Sequence, residues 1–158
     1  MIRIGIGFDM HPLETGYPLV LGGVKIDYSH GLVGHSDADV LTHAVIDALL
    51  GGGALGDIGD YFPSDNPEYR GISSMLLLQE TAGVLKEANL RVVNIDATII
   101  AENPRLSTFR DAMRENIADA LSIETNCVNV KATTTEGLDS IGNGQGISAQ
   151  AVASLEQA

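Results

Sequence analysis

The apolar residues at the start of the chain fall on every second position: Ile2, Ile4, Ile6, Phe8 and Met10 alternate with Arg3, Gly5, Gly7, Asp9 and His11. Two-residue alternation predicts a β-strand with the two sets on opposite faces. The second face carries two glycines and then, at the strand's end, a carboxylate and an imidazole, a pair that a merely solvated face would not need. The glycines would let another backbone or a partner subunit pack close to the strand.

Further along, LVLGGVKI reads as a hairpin around Gly22 and Gly23. The turn-rich HGLVGHSDAD offers Ser36, Asp37 and Asp39 as N-caps for the periodic stretch VLTHAVIDALL, which predicts a helix from about Asp39 to Gly51. LLGGGALGDIGDYFPSDNPEYRG, with Gly, Pro, Asp and Asn throughout, suits a mobile loop near a site. Between Ile72 and Asn89 a helix is expected, with Leu76, Leu77, Val84 and Leu85 as its buried stripe. Val92–Ile100 reads as a strand, LSTFRDAMRENIADALSI as a helix and CVNVKATT as a strand. In GISAQAVASL, Ile147, Ala149, Ala151, Ala153 and Leu155 share one side, which favours a strand despite alanine's helix propensity. This order of elements predicts an α/β (α+β) fold: one domain over residues 1–158, a mixed sheet with helices packed on one face.

Composition narrows the function. The chain has 158 residues, 44% of them hydrophobic, which suffices for one ordinary core. It has no apolar run long enough for a bilayer and no export-type start, so a cytoplasmic protein is expected. The single Cys127 excludes an internal disulfide and a cysteine metal cage, and reads as a small buried hydrophobe. Nine Lys and Arg against 21 Asp and Glu give a net charge of −12, which argues against nucleic-acid and anionic-membrane partners. A phosphorylated substrate would meet a repulsive field unless cations were recruited locally, and metal ions would supply them.

Candidate ligands are present. Residues two apart on a strand project from one face about 7 Å apart, so Asp9 and His11 can converge on one ion. Catalytic zinc commonly takes three protein ligands and leaves a fourth position open, and the first helix offers His43. Asp39, His43 and Asp47 follow at helical spacing, so either aspartate could orient the imidazole. By spacing alone, the same DxH could be a strand-end turn with solvated polar groups. His35 and Ser36 precede the helix, whose N-terminus either attracts an anion or is simply capped. Asp57 could approach a sugar hydroxyl or form only a turn. Thr133, Thr134 and Thr135 could hold phosphate oxygens with Glu136 on a hard cation, or be ordinary strand formers. The chain has no P-loop, no dinucleotide-binding fingerprint and no serine elbow.

Taken together, RIGIGFDMH, LGGVKI, HSDADVLTHAVIDALLGGGALGDIGDYFP, NIDATIIAENPRL and VNVKATTTEGL resemble the 2-C-methyl-D-erythritol 2,4-cyclodiphosphate synthase family, in its order and across nearly the whole chain. The resemblance implies a lyase of non-mevalonate isoprenoid biosynthesis. It implies a homotrimer with active sites between adjacent subunits, where CDP-methylerythritol 2-phosphate is cyclised and CMP released. Asp9, His11 and His43 match its zinc ligands, one Zn²⁺ per subunit, and Glu136 matches the residue on a second divalent cation, Mg²⁺ or Mn²⁺. His35 and Thr134 match transition-state-stabilising positions, Ser36 lies beside the polyol phosphate, and Asp57 and Gly59 match ribose contacts. Ala101, Glu102, Asn103, Pro104, Arg105, Leu106, Ala132 and Thr133 match the cytidine pocket of the adjoining subunit. Ile58, Phe62, Pro63, Ser64, Asp65, Asn66 and Thr135 complete the implied substrate-binding set.

The chain departs from the family pattern in places. Arg105 stands where lysine is common, FPSDNP replaces FPDTDP, and GLDSIGNGQG replaces KLGFTGRGEG. Ser140, Asn143 and Gln145 thus remove an arginine that could anchor an isoprenoid diphosphate on the trimer axis, and weak or absent binding of such a ligand is expected. The implied nucleophile is the substrate's own 2-phosphate, largely ionised at pH 7 because its second pKa is about 6. Hence the protein needs to supply only proximity and charge neutralisation. Two other readings fit the same residues: a zinc-dependent phosphohydrolase, and a non-catalytic trimeric ligand-binding module.

Overall fold

The computed structural model describes residues 1–158. The opening alternation forms β1 (Ile2–Thr15), followed by the hairpin strands β2 (Leu19–Leu21) and β3 (Val24–Ile26) and by β4 (His30–Leu32). Then come α1 (Val40–Gly53), α2 (Ile58–Tyr61), α3 (Ser74–Glu87), β5 (Leu90–Ile100), α4 (Arg110–Leu121), β6 (Val128–Thr133), α5 (Asp139–Gly142) and β7 (Gly146–Gln157). The main sheet has the order β4-β1-β7-β5-β6, with β5 and β6 parallel and every other pair antiparallel. The final segment is therefore a central strand, as its alternation predicts. The segment expected to be a mobile loop instead contains α2 and a 3-10 turn at Pro67–Tyr69.

Helices α1, α3 and α4 pack on one face of the sheet. The middle of β1 and β7 carries small side chains on that face: Gly5 pairs with Ala153, Gly7 with Ala151 and Asp9 with Ala149. Small residues let the α1 backbone settle directly onto β1. A Cβ on Gly5 would stand 2.0 Å from the carbonyl oxygen of Ala48, and one on Gly7 would stand 1.9 Å from that of Ala44. The close backbone expected beside these glycines is thus α1 itself. The two contacts also fix register, because four helix residues rise about 6 Å and two strand residues about 6.6 Å. Stepping along β1 from Gly7 to Asp9 consequently leads to the N-terminal turn of α1, where His43 lies.

The apolar row of β1 faces the other way. Ile2, Ile4, Ile6, Phe8 and Met10 are 50% to 73% exposed on the open face of the sheet. Across that face the character changes: Asn94 pairs with Ser154, and Asp96 accepts hydrogen bonds from Asn129 and Lys131. The open face therefore has an apolar margin on β1 and a polar margin on β5 and β6.

Local chemistry explains the element ends. Gly22 and Gly23 both have positive φ, 56° and 71°, as a tight hairpin turn requires. Asp39 is the N-cap of α1; it accepts from Thr42 N and Oγ1, and from the amides of Gly22 and Gly23, so it locks hairpin to helix. Two expectations need correction. Leu76 is exposed and Leu78 is buried in its place, because α3 turns Leu77, Leu78, Thr81 and Leu85 inward. Cys127 is only half-buried, since it ends a 3-10 turn before β6 begins.

Candidate metal centre and nucleotide pocket

Asp9 and His11 lie beyond the glycines on the helix-facing side of β1, and His43 reaches them from the first turns of α1. Asp9 Oδ2 is 2.9 Å from His11 Nε2 and 2.9 Å from His43 Nδ1, and the two ring nitrogens are 3.3 Å apart. Donor atoms held at about 2.0–2.1 Å from one tetrahedral ion stand roughly 3.3 Å from each other. The three atoms therefore converge as a divalent cation requires, and this cluster could hold one.

Both rings are fixed from behind. His11 Nδ1 is 3.0 Å from the Val33 carbonyl oxygen, which can only accept, so this edge carries the proton and, in the neutral ring, Nε2 is the unprotonated nitrogen. His43 Nε2 is 2.8 Å from Ser74 Oγ and 3.1 Å from Ser36 Oγ. The His43 orientation expected from Asp39 or Asp47 is not what the structure has. Asp39 is wholly buried as the helix cap, because unpaired N–H groups at the start of α1 and in the hairpin draw its carboxylate away. Asp47 accepts from Ile58 N at 2.8 Å and so ties α2 to α1.

The electrostatics follow from this packing. Burial opposes ionisation of Asp9, but hydrogen bonds from His11 and His43 outweigh it and hold its carboxyl far below the usual range. Burial would lower the His11 pKa, yet the hydrogen bond and charge of Asp9 raise it above 6.5. Burial pushes Asp39 up against the pull of its donors, and it does the same at Asp47 against the Ile58 amide.

These ligands line a cavity of about 290 Å³ with His35, Ser36, Asp47, Ile58, Gly59, Phe62 and Ser64. His35 Nε2 donates to the Asn66 carbonyl at 2.9 Å, and the His35 carbonyl accepts from Gly71 N, so the 62–71 segment is tied down across the cavity. Asp57 caps α2 reciprocally with Asp60 and lies off the cavity wall, as do Pro63 and Asp65.

A second cavity, of about 480 Å³, is formed by Ala101 to Ser107, Arg110 and Ala132 to Thr134. It shares no residue with the first. Glu102 accepts from the Thr135 amide at 3.3 Å. Glu136 is exposed, with a left-handed φ of 54°, and its amide donates to Thr134 Oγ1. Within one chain, therefore, the structure joins Asp9, His11, His35, Ser36 and His43 in one place and the 101–106 and 132–134 segments in another. Sequence reasoning missed Ser74 and Arg110 at these sites and named Asp37 only as a cap. Ser74 lies 31 positions from His43 and meets it only through helix packing. Arg110 had one signal, a cation opening a helix in an acidic chain.

Comparison with known proteins gives a consistent result. Residues 2–156 match the YgbB family. The 2-C-methyl-D-erythritol 2,4-cyclodiphosphate synthase of Syntrophomonas wolfei is 56% identical over 157 residues, which is 99% of this chain and all of that protein. The bifunctional IspDF of Campylobacter jejuni superposes with a TM-score of 0.96 at 39% identity, over the whole of this chain and 43% of that one. IspF of Plasmodium falciparum, solved as a CDP complex, superposes with a TM-score of 0.86 at 32% identity, over 99% of this chain and 96% of that one.

Proposed function

The chain belongs to the YgbB family, and from that premise we propose that it is a 2-C-methyl-D-erythritol 2,4-cyclodiphosphate synthase acting as one catalytic domain over residues 1–158. It converts CDP-methylerythritol 2-phosphate to the 2,4-cyclodiphosphate. An oxygen of the 2-phosphate forms a bond to the β-phosphorus, the bond from that phosphorus to the CMP oxygen breaks, and CMP leaves. The observation that carries this reading is the convergence of Asp9 Oδ2, His11 Nε2 and His43 Nδ1 in a cavity that also presents His35 and Ser36.

Asp9, His11 and His43 would hold Zn²⁺, which would supply positive charge to polarise and orient a phosphate oxygen. Glu136 would hold a second cation, Mg²⁺ or Mn²⁺. His35, whose Nε2–H is engaged by the Asn66 carbonyl, faces the same cavity beside the phosphates. Ser36 stands beside the polyol phosphate, and Thr134 stabilises charge as the β-phosphorus is attacked. Asp57 and Gly59 contact ribose, and Ala101 to Leu106 with Ala132 and Thr133 receive cytidine.

The two cavities serve one reaction if neighbouring subunits bring them together, so we read the assembly as a homotrimer. The exposed apolar row of β1 supports this, since a contiguous apolar strip on a sheet face marks an association surface. No helix is long and apolar enough to cross a membrane.

The test is incubation of the purified protein, Zn²⁺ and Mg²⁺ with CDP-methylerythritol 2-phosphate, followed by ³¹P NMR. Cyclic diphosphate with CMP is the expected result. Linear phosphates would mean a hydrolase, and an unchanged substrate would leave a binding module.

A further inference from the structure

Two serine hydroxyls approach one nitrogen, His43 Nε2, and that nitrogen carries at most one proton. Their surroundings differ. Ser74 is fully buried, and its hydroxyl donates to Asp37 Oδ1 at 2.5 Å, so its oxygen is left to accept from His43 Nε2–H at 2.8 Å. Asp37 is itself held, because its carboxylate accepts from the amides of Ser74 at 2.9 Å and Asp39 at 3.2 Å. Ser36 is the more distant partner at 3.1 Å, its oxygen already accepts from Ala38 N at 3.3 Å, and it lines the open cavity.

We propose that Ser74, held by Asp37, is the positioning residue that fixes the proton of His43 on Nε2 and so keeps Nδ1 free for the metal, whereas Ser36 is released to a phosphate of the substrate. The chain Asp37–Ser74–His43 then runs from the turn before α1 through the first residue of α3 to the first turn of α1 and defines ring orientation and tautomer together. Groups behind a metal-bound imidazole commonly change metal affinity about 10- to 100-fold when removed. This division of labour rests on the three-ligand zinc reading above.

The experiment measures zinc affinity by competition with a chromophoric chelator, in wild type and in Ser74→Ala, Ser36→Ala and Asp37→Asn, with histidine ¹H–¹⁵N NMR of the zinc-loaded forms. Ser74→Ala is expected to bind zinc about 10- to 100-fold more weakly and to lose the slowly exchanging His43 Nε2–H signal. Ser36→Ala is expected to keep both the signal and zinc affinity within about threefold of wild type, while KM for the substrate rises. Asp37→Asn, which leaves Ser74 in place but weakens its acceptor, is expected near tenfold and decides the matter if Ser74→Ala does not fold. A folded Ser74→Ala protein with wild-type zinc affinity and an intact Nε2–H signal would overturn the proposal, as would equal losses in the two serine variants. Wild type that binds no zinc would instead overturn the zinc reading itself.

Discussion

The two cavities are built in opposite ways. The one over β1 and α1 takes its donors from within regular elements, and each ring is held at its far edge by a carbonyl or hydroxyl. The one beyond β5 and β6 is lined by a loop, a strand end and the arginines Arg105 and Arg110. Rigid elements suit metal ligands, whose donor atoms must stay within a few tenths of an ångström. Loop backbone suits a nucleoside, read by many weaker polar contacts. In a chain with only nine Lys and Arg, two line one cavity and none the other, so under the proposed function phosphate would be neutralised by metal on one side and by guanidinium on the other.

The most severe way to break this pairing is to remove the metal side. His43→Ala, or exhaustive chelation, is expected to lower kcat about 10³-fold, measured as CMP release, because several kcal/mol of charge stabilisation is lost. A second variant sharpens the comparison by separating the cavities between subunits. His43→Ala protein mixed and reassembled with an Ala132→Trp variant, inactive through its filled nucleotide cavity, is expected to recover about one quarter of wild-type activity per site. No recovery would mean that both cavities act within one chain.

Stability should follow the floor under the metal cavity. Gly7→Ala is expected to cost about 3 kcal/mol in urea denaturation, since the new methyl meets the Ala44 carbonyl and lifts α1 from β1. On the nucleotide side the effect should be milder. Arg110→Ala is expected to raise KM about tenfold while zinc content stays at one per chain.

The smallest effect is one of pH. His11 has a folded pKa above its unfolded value of 6.5, so its protonation stabilises the metal-free fold fully below that value. That contribution disappears as pH rises through the higher folded pKa. Zinc requires the neutral ring, so its stabilisation grows over the same interval. The Tm gap between zinc-loaded and metal-free protein should widen between about pH 6 and pH 8, and a gap that narrows would refute His11 as a ligand.

Much of the metal centre is legible in the chain. Alternation places Asp9 and His11 on one face, and helical periodicity places His43 on the next element. The groups behind the ligands are not legible, because Ser74 reaches His43 only when α3 docks on α1. The misassigned aspartates have a physical cause as well. Helical spacing puts Asp39 and His43 on one face, but Asp39 precedes the helix, where four donors compete for its carboxylate and win.

The sequence by itself determined the order of the principal strands and helices, the kinds of ligand available and the separation of Ile2 to Met10 from Gly5 to His11. Which of those two sets faces inward was decided only in the tertiary structure. Alternation fixes that the sets are opposite and is silent on which one meets a helix. The absence of a Cβ at Gly5 and Gly7 let the α1 backbone come within contact of β1, and this close approach turned the isoleucines outward while it brought His43 to Asp9.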